Sequence, residues 1–177
     1  MIGVLVSGHG SNLQALLDDG LPVACVASNN ADAYALERAR AAGVETAVFA
    51  LADYASREER DAAIADWLAE NGVELVVLAG YMQLLTPAFL GRFPDRVVNV
   101  HPSPLPEFPG LRAIEQAIEA GVAETGVTVH LVDEGVDSGP ILAQEPVPVE
   151  PRATLEERIH AVEHTLLPRV VRELCAL

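Results

Sequence analysis

A chain of 177 residues, half of them apolar, can bury one sizeable core and is too short for two ordinary domains. Its net charge of −15 argues against nucleic acid as a partner, since backbone phosphates are repelled rather than neutralised. All 11 basic residues are arginine, and without lysine a Walker-type phosphate loop and a pyridoxal Schiff base are both excluded. No apolar stretch approaches the roughly 18 residues of a membrane span. The start of the chain, Ile2-Gly3-Val4-Leu5-Val6, has neither the basic region nor the cleavage site of a secretory signal. Cys25 and Cys175 are far apart in apolar settings, which fits a reducing cytoplasm rather than a disulfide framework.

Strand-like and helix-like segments alternate. Ile2–Ser7 reads as a buried strand, Asn12–Asp18 as a short helix and Val23–Ser28 as the next strand. Ala33–Ala42 is helical and stops at Gly43, a residue suited to a helix C-terminus. Glu45–Phe49 follows as a strand, and Arg57–Asn71 as a helix closed by Gly72. Leu75–Leu78 is short and wholly apolar, as in a parallel sheet covered on both faces. Val97–His101 is the fifth strand, Ala113–Ala120 a helix, and Gly126–Val132 alternates like a half-exposed strand. Ile141–Val149, interrupted by prolines, reads as a sheet edge. Thr154-Leu155-Glu156-Glu157 has the form of a capping box opening a helix towards Leu174, with Pro168 as a kink or break. The alternation predicts a doubly wound α/β domain.

The richest stretch is Asn99-Val100-His101-Pro102-Ser103-Pro104-Leu105-Pro106. A strand that stops at repeated prolines places Asn99 and His101 at its end, two apart and on one face. There an amide can hydrogen-bond a developing oxyanion and an imidazole can carry a proton near neutral pH. The same residues also suit a strand end that caps a proline-rich turn. After the first strand, Ser7-Gly8-His9-Gly10-Ser11-Asn12 leads into a helix, a loop whose free N–H groups suit a phosphate. Leu13 stands where a dinucleotide fingerprint needs its third glycine, so a nicotinamide or flavin cofactor is not supported. Asp137, in the glycine-bracketed turn Asp133–Pro140, favours the imidazolium form of His101 if the two lie together; otherwise it is a solvated turn residue. His160-Ala161-Val162-Glu163-His164 matches the H-x-x-E-H zinc-peptidase helix, but no second motif presents a third ligand. His9 and His130 have no partner visible in the sequence and read as loop and strand residues.

Taken together, Ser7–Ala15, Ala79-Gly80-Tyr81-Met82, Asn99-Val100-His101-Pro102-Ser103, Leu105-Pro106 and Asp137-Ser138-Gly139-Pro140 resemble the phosphoribosylglycinamide formyltransferases, in the same order and over essentially the whole chain. The resemblance implies a single Rossmann-like formyltransferase domain over residues 1–177: a doubly wound, mostly parallel sheet with an antiparallel edge and a C-terminal helix. It implies attack of the glycinamide ribonucleotide amine on the formyl carbon of 10-formyltetrahydrofolate, a co-substrate, without metal. Asn99 and His101 would hold the oxyanion, and Asp137 would support His101 and help move protons. Gly10, Ser11 and Asn12 would bind the phosphate, with His160 and Glu163 on the ribonucleotide. Arg57, Met82, Gln83, Leu84, Leu85, Asn99, Asp133 and Asp137 would form the folate site, with the 133–137 loop closing over the pterin. Leu105-Pro106 is expected to be cis. The partners implied are these two small molecules, with no nucleic acid or membrane, in the cytoplasm.

The family usually has Met-Arg at Met82-Gln83, so one cation for the folate glutamate tail is missing here. Glu107 stands where many relatives carry Lys or Ala, and the chain is short for the family. Three other readings compete. Formyltetrahydrofolate hydrolases carry an amino-terminal regulatory domain, whereas this chain begins at the first strand. Methionyl-tRNA formyltransferases add a carboxyl-terminal tRNA-binding domain, whereas this chain is acidic and ends at Leu177. A non-catalytic phosphate or nucleotide sensor has no need of the Asn99/His101/Asp137 set.

Overall fold

The computed structural model describes residues 1–176 and divides the chain into two compact units, Met1–Val98 and Asn99 onwards. The first unit contains β1 (Ile2–Val6), α1 (Ser11–Asp18), β2 (Val23–Ser28), α2 (Tyr34–Ala41), β3 (Glu45–Val48), a 3₁₀ turn at Leu51–Asp53, α3 (Arg57–Glu70), β4 (Leu75–Leu78) and α4 (Pro87–Leu90). β1 pairs in parallel with β2 on one side and β4 on the other, and β2 pairs in parallel with β3. The chain therefore winds outwards twice and then returns to the far side of β1. That reversal is where doubly wound sheets open a crevice beyond their strand ends. Every residue of β1 and β4 is buried, which explains their uninterrupted apolar composition. α1 buries Leu13 and Leu16, three apart on one face, each contributing about 1.5–3 kcal/mol.

β5 (Val97–His101) carries the chain into the second unit, with α5 (Ala113–Ala120), β6 (Glu124–Leu131), β7 (Ile141–Pro148), a 3₁₀ turn at Arg152–Thr154 and α6 (Leu155–Cys175). The seven strands are ordered β3-β2-β1-β4-β5-β6-β7, and β6 and β7 form an antiparallel edge. α6 packs on β6 and β7 through a stripe that includes Leu155, Ile159, Leu166, Leu167, Val170 and Val171.

Three local expectations change. β6 is buried from Thr125 to His130 rather than half exposed, because it lies inside the sheet with α6 packed on it. Thr128 and His130 face internal partners instead of solvent. Thr128 Oγ1 donates to Ser103 O (2.7 Å) and accepts from Leu105 N (3.1 Å) and Gln144 Nε2 (2.9 Å). The capping box forms at α3, not at α6. There Ser56 Oγ accepts from Glu59 N at 3.1 Å, and the Glu59 carboxylate reaches back to Ala55 N at 3.3 Å. Thr154 is turned into the preceding 3₁₀ turn, where its hydroxyl donates to Pro151 O and accepts from Arg158 Nε, so it caps nothing. α6 also runs through Pro168, whose ring is buried, so of the expected kink or break there is no break. The short helix α4 and the 3₁₀ turns carried no readable periodicity. Leu105–Pro106 is cis, as the resemblance implies, and so is Glu150–Pro151. Among the described residues no helix is long and apolar enough to cross a membrane.

Thr128→Val leaves two buried backbone groups, Ser103 O and Leu105 N, without their side-chain partner, while Gln144 keeps its bond to Leu105 O. It is expected to cost about 1–3 kcal/mol in a denaturant titration, while Thr165→Val on the exposed face of α6 stays within about 0.5 kcal/mol. Equal stability of the two variants contradicts the assignment of Thr128 as a loop anchor.

Candidate functional site

The loop after β1 owes its shape to pinned carbonyls. Gly8 O accepts from Ala35 N at 3.0 Å, and His9 O accepts from Arg38 Nε at 2.9 Å. Gly10 caps α1 at φ +80°, and an added Cβ would lie 2.5 Å from Ala35 Cβ, so only glycine fits. With these carbonyls turned onto α2, the N–H groups of the first turn of α1 supply the donors an anion needs. Arg38 also donates through Nη1 to Gln14 Oε1 (3.2 Å) and through Nη2 to His9 Nε2 (2.8 Å). Arginine only donates, so that ring nitrogen is the acceptor. His9 further stacks on Tyr34, with ring centroids 5.4 Å apart. His9 thus has two partners, both on α2, that its place in the sequence did not reveal.

The segment after β4 belongs to the same unit. Ser7 Oγ accepts from Met82 N at 2.8 Å, and Arg57 Nη2 donates to Leu84 O at 2.8 Å, which joins Arg57 to the Met82–Leu85 stretch. Gln83 is half-buried against Arg60, and the side chains of Met82 and Leu84 point into solvent. Burial pushes the Tyr81 hydroxyl up to about 12, against the lowering influence of Arg60.

In the second unit β5 ends on the chemistry-bearing pair, and β6 and the 133–140 loop bring two more groups to it. His101 is 5% exposed, with Nδ1 3.4 Å from Asp137 Oδ2 and Nε2 2.9 Å from Phe108 O. Both ring nitrogens therefore face oxygen acceptors, and all contacts are satisfied when both carry protons. Asp137 Oδ2 also accepts from Gly110 N at 2.7 Å, and Oδ1 lies 3.6 Å from His130 Nε2. Burial pushes the Asp137 carboxyl up, but the hydrogen bonds from His130 and Gly110 and the charge of His101 outweigh it. The net result lies below the usual value. Asp137 is thus an anion at neutral pH, held at φ +51°.

Asn99 joins through the residue that sequence reading missed. Its Nδ2 donates to His130 Nε2 at 3.3 Å, while His130 Nδ1 lies 2.9 Å from Leu131 O. A proton on Nδ1 serves that carbonyl, and Nε2 accepts from Asn99 or, when it too carries a proton, donates towards Asp137 Oδ1. The nearby Asp137 Oδ1 asks the opposite of Nε2, so the protonation of His130 decides whether its ring serves Asn99 or Asp137. The available signal was the i, i+2 run Thr128, His130 along one buried face of β6, polar where core is required.

Asp137 also lines a cavity of about 330 Å³ with Leu105, Pro106, Pro109, Val136 and Ile141. Asp133, by contrast, folds back on its own turn. Its Oδ1 accepts from Ser138 Oγ (2.7 Å) and Gly135 N (2.9 Å), and the Ser138 bond first, then Gly135, hold its carboxyl below the usual range. Its visible role is to order the loop. His160 and Glu163 lie one turn apart on α6, Glu163 buried. His164 packs its ring 6.2 Å from that of His160, and burial, then the charge of His160, pushes its pKa down. Among the described residues no three His, Cys, Asp or Glu side chains are arranged to hold a metal ion. The structure thus brings Asn99, His101 and Asp137 together, and separately Arg57 with Met82–Leu85.

The chain is similar over nearly its whole length to proteins of known name. A formyl transferase family model matches residues 1–171. The phosphoribosylglycinamide formyltransferase of Haemophilus influenzae is 45% identical, over 97% of this chain and 85% of its own. The trifunctional purine biosynthetic protein adenosine-3 of Chironomus tentans is 43% identical over 97% of this chain, which spans only 13% of that protein. In structure, glycinamide ribonucleotide transformylase 1 from Symbiobacterium toebii superimposes with a TM-score of 0.94 at 50% identity, covering 97% of this chain and 85% of its own. A match of such extent, in a chain whose loop after β1 and strand end at Asn99 and His101 are built as described, leaves one conclusion: the chain belongs to the formyl transferase family.

Proposed function

We propose that residues 1–177 act as one cytoplasmic domain that transfers the formyl group of 10-formyltetrahydrofolate to the amine of glycinamide ribonucleotide in purine biosynthesis. The observation that carries the reading is the anionic Asp137 held against His101 and, through His130, beside Asn99. This set supplies what acyl transfer to an amine requires: donors for an oxyanion and a path for one proton.

The first-turn N–H groups at Gly10, Ser11 and Asn12 take the substrate phosphate, and His160 and Glu163 hold the ribonucleotide. Arg57, Met82–Leu85, Asn99, Asp133 and Asp137 receive the folate. The amine attacks the formyl carbon, and the carbonyl pair moves to oxygen, which Asn99 and His101 stabilise. The amine nitrogen then gives up a proton and the leaving N10 of the folate takes one, through His101 and Asp137. Collapse of the tetrahedral intermediate breaks the carbon–N10 bond and leaves the formylated amine. Incubating purified protein with both substrates tests the reading directly. Stoichiometric formylation of the ribonucleotide, seen by mass, supports it, and consumption of the folate without formylated product refutes it.

Two outcomes follow from the geometry. His101→Ala removes a proton carrier and an oxyanion contact together, so kcat is expected to fall by roughly 10²–10⁴-fold with little change in either KM. Near-normal turnover removes His101 from the mechanism. Asp137→Asn removes an anion that faces the His101 and His130 rings, so kcat is expected to fall while the protein stays folded. Its effect on stability has a defined window. The folded carboxyl lies below its unfolded value of about 3.9, so its contribution is present above about pH 4 and lost as pH falls through the lowered folded value. The stability gap between wild type and Asp137→Asn therefore closes on acidification, and a gap that widens there contradicts the ionised assignment.

A further inference from the structure

The Met82–Leu85 segment is held by side chains from below, and its supports converge on one buried ion pair. Arg60 and Asp61 occupy successive positions of α3, and neither side chain has any exposure to solvent. Asp61 Oδ1 accepts from Arg60 Nε (3.0 Å) and Nη2 (2.8 Å), and Asp61 Oδ2 accepts from Thr86 N (2.8 Å) at the far end of the segment. The remaining Arg60 nitrogen, Nη1, donates to Gln83 Oε1 at 3.0 Å, and Gln83 Nε2 donates to Met82 O at 3.1 Å. With Arg57 on Leu84 O and Ser7 on Met82 N, this backbone is pinned at Met82, Leu84 and Thr86. A buried pair of this kind adds little net stability over apolar packing, yet leaves a stranded charge if one member is lost. Meanwhile the pinned backbone presents Met82 and Leu84 at 65% and 57% exposure, an arrangement that serves a ligand and not the core.

We propose that Arg60 and Asp61 are positioning residues for the formyl donor: they hold Met82–Leu85 in its receiving shape, and position 60 or position 83 can supply the guanidinium that Asp61 requires. The proposal rests on the reading that this segment binds the folate. The exchange follows from geometry, because the heads of Arg60 and Gln83 meet at 3.0 Å beside the carboxylate that the guanidinium neutralises. Being sealed from solvent, Arg60 and Asp61 act through the segment and not on the donor itself.

The test compares wild type, Arg60→Gln and the exchanged Arg60→Gln/Gln83→Arg protein, each checked for folding by circular dichroism. Hydrogen exchange at the Thr86 amide, read without substrates, should speed up about tenfold or more in Arg60→Gln and return towards wild type in the exchanged protein. The KM for 10-formyltetrahydrofolate should rise roughly tenfold or more in Arg60→Gln, since small displacements of positioning groups have effects of that size or larger. The KM for glycinamide ribonucleotide should move less than about twofold, and the exchanged protein should recover most of the loss. An Arg60→Gln protein that folds with an unmoved donor KM overturns the proposal. So does an exchanged protein that fails to fold or to recover. If Arg60→Gln alone does not fold, the exchanged protein decides by the same two readouts. A wild type that moves no formyl group defeats the functional reading by itself; a wild type that does, with donor KM indifferent to Arg60, defeats only the positioning role.

Discussion

The second unit is organised around one carboxylate. Asp137 accepts from Gly110 N at 2.7 Å and stands 3.4 Å from His101 and 3.6 Å from His130, so its charge is shared by a loop amide and two rings. Burial pushes the pKa of such a group up; these partners outweigh it and hold it below the usual value. The rest of the unit maintains that balance. Thr128 and Gln144 fix the chain from Ser103 to Leu105, which leads to the Phe108 carbonyl facing His101 and to the Gly110 amide on Asp137. Asp133 orders the turn that delivers Asp137 at φ +51°. Donors and counter-charge are set before any substrate arrives, which is what electrostatic stabilisation of an oxyanion requires.

In the first unit two segments after strands are fixed by contacts from neighbouring helices and side chains. In the loop after β1 the carbonyls of Gly8 and His9 are tied to α2, and the tight contact at Gly10 excludes a side chain. In the Met82–Leu85 segment Arg57, Gln83, Asp61 and Ser7 hold the chain from behind. Both are surfaces of fixed polar atoms at the carboxyl ends of parallel strands, where a doubly wound sheet places its ligands.

The parallel strands were legible because they are buried on both faces and read as unbroken apolar runs, as in Leu75–Leu78. Asn99, His101 and Asp137 were legible as residues out of place, polar groups at a strand end and in a glycine-bracketed turn. What escaped was polar residues with distant partners. Thr128 and His130 made β6 look half exposed, although their hydrogen bonds lie inside. Arg60 and Asp61 sit on an amphipathic helix where charges ordinarily face water, and only the tertiary structure shows Gln83 and Thr86 waiting for them. Capping shows the same limit. Ser56-x-x-Glu59 and Thr154-x-x-Glu157 have one pattern, but the 3₁₀ turn before α6 rotates Thr154 away from the helix.

The central claim is that Asp137 is a fixed anion to which His101 and His130 are fitted. Following the Asp137 carboxyl carbon by NMR as the pH is lowered tests it most directly. The account predicts that Asp137 stays ionised through the range, near pH 3.9, in which ordinary aspartates take up a proton. Protonation at or above that range, with His101 and His130 still folded around it, would contradict the account.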